Sequence, residues 1–234
     1  MDRRDFLSDV TRAAALCAVI PNVWRVTTRP RFADDPFQLG VASGDPTSDG
    51  GVLWTRLAPR PLEPGGGMNG LKVAVGWELA DDEQFAHVVR KGQATAAPEL
   101  SYSVHVDVDG LAPDRWYFYR FTSGGAVSPV GRFRSAPAPD PRTALRLAVA
   151  SCQHYEQGLY TAYEHMVHEE LDLVAHLGDY IYEYAPSTTG VRRHANPEAM
   201  DLDGYRIRIG QYKMDPALRA AHERCPWIVV WDDH

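Results

Sequence analysis

The chain has 234 residues, of which 44% are hydrophobic, and a formal net charge of −7. This length and composition are typical of a globular protein with one large domain or two modest ones. The acidic balance argues against nucleic acid as a general partner, because no excess of lysine and arginine is present to neutralise phosphates. Three cysteines are too few for a disulfide framework.

Residues 1–33 are predicted to be an export signal. Arg3 and Arg4 precede a short apolar stretch, AAALCAVI, and this order resembles a twin-arginine signal peptide. It implies the twin-arginine export machinery as a partner and a location in the periplasm, the cell wall or the extracellular medium. The apolar stretch is too short to span a bilayer, so no stable membrane anchor is expected. Cleavage is expected near Ala33.

Residues 37–135 have the pattern of short strands separated by turns. The runs VLWTRL, LKVAVGWEL, SYSVHVDV and WYFYRFT alternate apolar and polar residues, with Gly, Pro, Asn and Asp between them. Repeated short strands without helices predict a β-sandwich. Leu111, Pro113 and Tyr117 stand as in the tyrosine corner of fibronectin-type domains. A structural or positioning role is favoured over carbohydrate binding, since no ligand-spaced cluster of His, Cys or carboxylates is present.

A proline-rich linker, 136–144, precedes a segment with a different pattern, 145–234. Strands and helices alternate in this segment, which predicts a largely parallel sheet in an α/β fold. The predicted elements are a strand at Arg146–Ala150, a helix with its apolar face from Leu159 to Leu171, a strand at Leu173–Leu177, a short helix starting near Pro216 and a last strand in WIVVWDDH.

Polar side chains follow each of the three predicted strands. In parallel sheets the carboxyl ends of the strands share one edge, and ligands bind there. Gly178 allows the tight turn that lets the next carboxylate reach into the cleft. Thiolate, carboxylate, phenolate and imidazole groups bind hard or borderline cations, and tyrosine with cysteine and aspartate suits ferric iron. The sequence therefore predicts a metal site formed by Cys152, Asp179, Tyr182, Asp232 or Asp233, and His234.

Simpler interpretations of these residues stay open. Cys152 could form a disulfide with Cys225 after export, or be a buried apolar thiol. Tyr182 could serve in packing alone, and Asp179 could be only a turn residue.

The roles of several neighbouring polar residues are also open. Asp232 is expected to support the site rather than bind metal, since strand alternation would point its side chain away from that of Asp233. A loop with Arg192, Arg193 and His194 could steer an anionic phosphate, although a solvated surface stretch is favoured. Surface or satisfied core positions are expected for the other histidines of this segment: His154, His165, His168, His176 and His222.

Several stretches resemble the PhoD-type alkaline phosphatases and phosphodiesterases: FQLGVASGDPTSDGGVLWTRLAP, ASCQHYEQGLYTAYEHM, HLGDYIYEY and the segment ending PWIVVWDDH. The resemblance covers Phe37 to His234. It implies a mixed fold, with a fibronectin/Ig-like β-sandwich followed by a calcineurin-like α/β metallophosphoesterase domain. It also implies Fe3+ and Ca2+ as cofactors and a phosphate ester, monoester or diester, as the substrate, with diesters favoured.

The resemblance also implies roles for the site residues. Asp179 would bridge two metals as the aspartate of a Gly-Asp-x-x-Asp element, with Cys152 and Tyr182 on the ferric side. Asp233 would bind the second ion, and His234 would be the catalytic histidine.

The family supplies further ligands from later strands, so the chain is expected to be an N-terminal fragment with an incomplete domain at 145–234. The alternative is a secreted binding or structural protein that uses the sandwich and carries an inactive half-site. The loop Pro186–Met200 is expected to border the substrate entrance.

Overall fold

The structure, a computed structural model, describes residues 26–139 and 143–234. The twin-arginine pattern at Arg3 and Arg4 and the middle of the predicted linker lie outside the described residues, so both stay predictions. Within the described part of the chain, no helix combines the length and the apolar character needed to cross a membrane.

Twelve strands and three α-helices form the described fold. The strands are β1 (Val26–Thr27), β2 (Val41–Thr47), β3 (Gly50–Arg56), β4 (Lys72–Ala80), β5 (Val88–Ala96), β6 (Ser103–Val108), β7 (Trp116–Ser123), β8 (Ala126–Val127), β9 (Gly131–Arg134), β10 (Leu147–Ala150), β11 (Leu173–His176) and β12 (Trp227–Val229). The helices are α1 (Thr161–Met166), α2 (Leu202–Lys213) and α3 (Pro216–Arg224), with short 3-10 turns at Pro64–Gly67, Pro98–Leu100 and Tyr155–Gln157.

The first sheet is centred on β4, which pairs antiparallel with β5 and β7. Strands β8 and β9 pair with β7, and β1 runs parallel to the start of β4. Alternate residues of β7 are buried, as the alternating sequence pattern predicted. They join a core whose largest fully buried members come from several strands and loops: Phe37, Leu53, Leu57, Leu79, Tyr102, Tyr119, Phe121 and Phe133.

The second sheet has six strands in the order β10-β11-β12-β2-β3-β6. Strands β10, β11 and β12 are parallel, as the sequence predicted, whereas β2, β3 and β6 are antiparallel. The two parts join where Trp227 of β12 pairs parallel with Gly44 of β2. One backbone ladder thus crosses the predicted boundary at 136–144, and the division into domains 37–135 and 145–234 stays a prediction.

Tyr117 forms the corner that its sequence position suggested. Its ring is buried, and its hydroxyl accepts a hydrogen bond from the Ala112 amide at 3.0 Å, five residues upstream. A tyrosine bonded back to the backbone just before it fixes the crossover into β7.

The helix predicted over Leu159 to Leu171 is much shorter in the structure. It ends at Met166, and the chain continues in turns with His168 bonding to His165 and Glu169 to Met166. Glu169 and Glu170 follow the helix, and negative charges near the carboxyl end of a helix oppose its dipole, which is consistent with the early end.

Helix α2 lies in a region for which the sequence analysis predicted no element. Its buried residues are mostly polar, so no apolar stripe marks it, although Asp201 caps its first turn by accepting a hydrogen bond from the Gly204 amide at 2.7 Å. Helix α3 begins at Pro216 as predicted, with Asp215 as its cap.

The stretch before the expected cleavage point contacts the fold. Phe32 packs against the core of the first sheet, and Pro30 and Phe32 lie against Gly124 at the β7–β8 turn. Cleavage near Ala33 would therefore remove side chains that pack on the first sheet.

Burial of His176 should make the free energy of unfolding depend on pH. The side chain is fully buried, neither ring nitrogen has a hydrogen-bond partner, and burial lowers the pKa from 6.5 to about 4. The unfolded chain therefore binds the proton first as the pH falls from about 6.5 to 4, and the free energy of unfolding should decrease by about 2 kcal/mol over this range.

The measurement is denaturant unfolding at several pH values. His176→Leu should flatten the pH dependence, since it removes the buried group that cannot take up a proton. The exposed His168 provides the matched control, and His168→Leu should leave the pH dependence as in the wild type. Equal pH profiles for wild type and His176→Leu would contradict this account.

Candidate metal centre

The three parallel strands end at the same level of the sheet. Ala150 pairs with His176, and His176 pairs with Val229. The ladder continues one step further, because the Leu177 amide bonds to the Ala150 carbonyl at 2.8 Å and the Val230 amide to the His176 carbonyl at 3.0 Å. The segments that follow all three strands therefore meet along one edge, as the parallel-sheet prediction required.

The backbone turns sharply at this edge. Cys152 and Asp179 have positive φ angles of 54° and 51°, and Gly178 has 116°. The two turns are tied together, since the Cys152 amide bonds to the Gly178 carbonyl at 3.1 Å and the Gln153 amide to the Asp179 carbonyl at 3.2 Å. Non-glycine residues in this conformation cost about 1–3 kcal/mol each, and such strain concentrates at functional sites.

Asp179 lies at the centre of the edge, with only 7% of its surface exposed. One carboxylate oxygen, Oδ2, accepts a hydrogen bond from the Tyr182 hydroxyl at 2.8 Å, while Oδ1 is buried without a partner. Hydrogen bonds from Tyr182 and from the Cys152 thiol lower the pKa of Asp179, so the group is ionised. A buried anionic oxygen without a hydrogen-bond donor is a favourable position for a cation, because the charge is otherwise poorly compensated.

Two further carboxylates complete an acidic group with Asp179. Oxygens of Asp179, Asp232 and Asp233 lie within 4.8 Å of one another. Asp232 is expected to point away from Asp233 only if both lie in strand geometry, and this condition is not met, because β12 ends at Val229. Its side chain instead lies against Gly178, where a Cβ would come within 2.5 Å of the Asp232 Cβ.

Cys152 is an exposed free thiol beside this group. Cys225 is also free, but it precedes β12 and lies at the opposite edge of the sheet. A strand of three or four residues separates the two edges by about 10–13 Å, beyond the span of a disulfide. The disulfide alternative is therefore wrong, and so is a buried position for Cys152.

Tyr182 is half-buried, with its hydroxyl directed to Asp179. Burial, and then the hydrogen bond to Asp179, raises the pKa of the phenol. Its ring lies between two histidines, with centroids 4.3 Å from His154 and 4.5 Å from His234. Packing alone does not account for the direction of the hydroxyl.

His234 lies at the same edge. Its Nε2 is 3.0 Å from the Tyr184 hydroxyl, and its Nδ1 is 3.1 Å from a Glu183 carboxylate oxygen. The structure thus brings together all five predicted site residues, with Asp232 in addition: Cys152, Asp179, Tyr182, Asp233 and His234.

A second group, His154, Glu156 and His194, was missed by the sequence analysis. Atoms of these three side chains lie within 4.8 Å of one another, and Glu156 and His194 are buried. Glu156 accepts hydrogen bonds from the amides of Ser187 and His194, and burial lowers the pKa of His194 to about 4. His154 is half-buried, not on the surface, and its ring stacks beside Tyr182. His154 and His194 are 40 positions apart in two different loops, so no sequence spacing reveals this group.

Arg192 has a structural role that neither sequence interpretation predicted. Its guanidinium lies over the Tyr155 ring at 3.8 Å and pairs with Asp215, while His194 is buried. Both a phosphate-steering role and a solvated surface stretch are therefore wrong for these two residues. Of Arg192, Arg193 and His194, only Arg193 is exposed.

The fold and the edge site define the chain as a mixed, sheet-rich protein with a candidate metal centre at the carboxyl ends of its parallel strands. Two sequence models match it, described as "PhoD-like phosphatase, N-terminal domain" at residues 23–137 and "PhoD-like phosphatase" at residues 147–234. The chain belongs to the PhoD-like phosphatase family.

Two relatives agree with this assignment. Alkaline phosphatase D of Bacillus subtilis (strain 168) is 50% identical over 244 residues, a match that covers 100% of this chain and 42% of the relative. A solved structure described as "Structure of PhoD" is 55% identical with a TM-score of 0.85, covering 88% of this chain and 40% of that chain. The chain thus spans about two fifths of the length of these relatives.

Gly178→Ala tests whether the tight turn holds the acidic group in place. The new Cβ would displace Asp232, and the φ of 116° is unfavourable for alanine. We expect a loss of about 1–3 kcal/mol in the free energy of unfolding and weaker metal-ion binding, measured by denaturant titration and calorimetry. Gly158→Ala is the matched control, because its φ is extended and no atom lies within 4 Å of its added Cβ. Unchanged stability and metal-ion binding in Gly178→Ala would contradict the role of this glycine.

Proposed function

We propose that the protein of which this chain is part hydrolyses phosphate esters at the edge formed by β10, β11 and β12. The observation that carries the proposal is Asp179, a buried, ionised carboxylate with one oxygen lacking a donor, whose oxygens lie within 4.8 Å of two other carboxylates. The family assignment and the named relatives support the same activity. The substrate is proposed to be a phosphodiester or a phosphomonoester, with diesters favoured.

The residues fit a site for Fe3+ and Ca2+. Asp179 would bridge the two ions, with the Cys152 thiolate and the Tyr182 phenolate on the ferric side and Asp233 on the second ion. When bound, the two ions would lower the pKa of a water and stabilise charge on the phosphoryl oxygens. Asp232 can add a further carboxylate, since its oxygens belong to the same group.

The chain's own side chains orient the substrate and move protons. His234 would be the catalytic histidine, and its Nε2 would exchange the contact with the Tyr184 hydroxyl for a hydrogen bond to a phosphoryl oxygen or a proton transfer to the leaving oxygen. Glu183 and the Tyr184 hydroxyl contact its two ring nitrogens at 3.1 and 3.0 Å and fix the ring. The loop 186–200 follows Tyr184 directly and is proposed to border the substrate entrance.

The finer fold assignment belongs to the same proposal. Residues 37–135 would form a fibronectin/Ig-like sandwich, supported by the Tyr117 corner, and residues 145–234 would form the first part of a metallophosphoesterase domain. Both groups of potential metal ligands found in the described residues follow residue 150, which favours an enzyme over a binding protein that uses the sandwich.

Asp179→Asn tests the proposed centre. In the protein with its complete natural sequence, loaded with Fe3+ and Ca2+, this change should lower turnover of a chromogenic phosphodiester more than any other single substitution. The reason is that it removes a negative charge shared by both ions. His234→Ala should impair turnover severely, and Tyr182→Phe should remove the visible phenolate-to-iron absorption with little effect on folding.

Asp172→Asn is the matched control, because Asp172 lies near the amino end of β11 and pairs with Arg134, away from the edge. A colourless wild-type protein that contains only zinc and has full activity would contradict the assignment of Fe3+ and Ca2+. Full activity in Asp179→Asn would contradict the proposed location of the catalytic site.

Export by the twin-arginine route is part of the proposal, since that route carries folded proteins with cofactors already inserted. Lysine at both Arg3 and Arg4 should leave the protein inside the cell, as measured by fractionation and immunoblotting. The mature N-terminus should lie upstream of Pro30, because Pro30 and Phe32 pack on the sandwich. Normal export of the double-lysine variant would contradict the route, and a mature N-terminus after Ala33 would contradict the position.

A further inference from the structure

Helix α2 presents two fully buried polar side chains to the segment that carries Tyr182. Arg208 and Tyr212 are both 0% exposed and lie one turn apart on the helix. Tyr182 itself follows β11 without belonging to any strand or helix. Its position must therefore be fixed by contacts outside regular secondary structure.

The Tyr212 hydroxyl holds the backbone amide of Tyr182. It accepts hydrogen bonds from the Tyr182 amide at 3.1 Å and the Tyr155 amide at 3.2 Å, and lies 3.2 Å from His194 Nε2. With both amides donating, the hydroxyl proton is free to bond the His194 nitrogen. One phenol thus ties the loops after β10 and β11 to the second polar group.

Arg208 holds the carbonyl of the same residue. Its Nη1 donates to the carbonyls of Tyr182 and, at 3.1 Å, Tyr184, while its Nη2 donates to the Pro197 carbonyl at 2.9 Å. Its Nε donates to Asn196 Oδ1 at 3.0 Å. The planar guanidinium therefore joins the segment 182–184 to the proposed entrance loop at residues 196–197, and a lysine could not make these bonds together.

Helix α2 is in turn held by the first part of the chain. Arg56 of β3 is 3% exposed, and its Nη1 donates to the Arg206 carbonyl at 2.9 Å. Gly210 approaches Pro61 so closely that a Cβ would lie 3.0 Å from the Pro61 carbonyl oxygen. The helix therefore has fixed contacts on both sides.

We infer that Arg208 and Tyr212 are positioning residues for Tyr182, and that α2 transmits support from β3 to this proposed iron ligand. The inference rests on the proposed function, in which Tyr182 binds Fe3+. Ligand groups must be held within about 0.5 Å of the productive geometry, and partners behind a ligand commonly change metal affinity by 10–100-fold. Both backbone polar groups of Tyr182 are held by this one helix.

Tyr212→Phe is the test, because it removes the hydroxyl and keeps the ring. In the protein with its complete natural sequence we expect Fe3+ affinity to fall about 10–100-fold and the phenolate-to-iron absorption to shift or weaken. In the metal-free protein the Tyr182 amide should exchange hydrogen faster, since it loses its acceptor. Arg208→Lys should likewise weaken Fe3+ binding and shift the absorption.

Tyr117→Phe is the matched control. It also removes a buried hydroxyl that accepts a backbone hydrogen bond, but in the sandwich. It should lower stability without changing Fe3+ affinity, the absorption or Tyr182 amide exchange. A shift of the absorption in Tyr212→Phe with none in Tyr117→Phe supports positioning over a general loss of stability.

Two results would overturn the inference. The first would also overturn the proposed set of metal ligands, whereas the second would not. A wild-type protein that binds Fe3+ without the absorption shows that Tyr182 is not a ligand, and the proposed metal set fails with the inference. A wild-type absorption that persists unchanged in Tyr212→Phe, with unchanged affinity and amide exchange, overturns the inference alone.

Discussion

The parallel register of β10, β11 and β12 is the constraint on which the site depends. Because the three strands pair residue for residue and end at one level, a thiol, three carboxylates, a phenol and an imidazole that are far apart in sequence meet at one edge. A shift of one residue in β11 would turn His176 out of the core and move Asp179 away from Asp232 and Asp233. The core that holds this register consists of Val174, Trp227 and the side chains of α1 and α3 around them.

The strand ends could be predicted from sequence because their pattern is local. The apolar runs end at Ala150 and Leu177, and the polar residues of the site follow within a few positions in the chain. Helix α2 and the group around Glu156 could not be predicted, since their buried contacts are polar and join distant segments without an apolar period. Asp232 shows a third limit, because the alternation rule holds only while the backbone remains a strand.

The first part of the chain contributes to the site through backbone contacts. The pairing of Trp227 with Gly44 extends the parallel sheet into the first part of the chain, and Arg56 bonds to the carbonyl of Arg206 on α2. Breaking this bond is costly, since it would leave one nitrogen of a buried guanidinium without its partner. The first part of the chain therefore supports the proposed centre through its backbone.

A balance between strain and binding follows from this architecture. Cys152 and Asp179 are held at positive φ, and oxygens of three carboxylates lie within 4.8 Å of one another. Positive φ at these two residues costs about 1–3 kcal/mol each, and backbone hydrogen bonds between the two turns maintain it. A cation that binds only the folded chain stabilises the fold by mass action. At the proposed catalytic edge, cation binding would therefore offset part of the backbone strain.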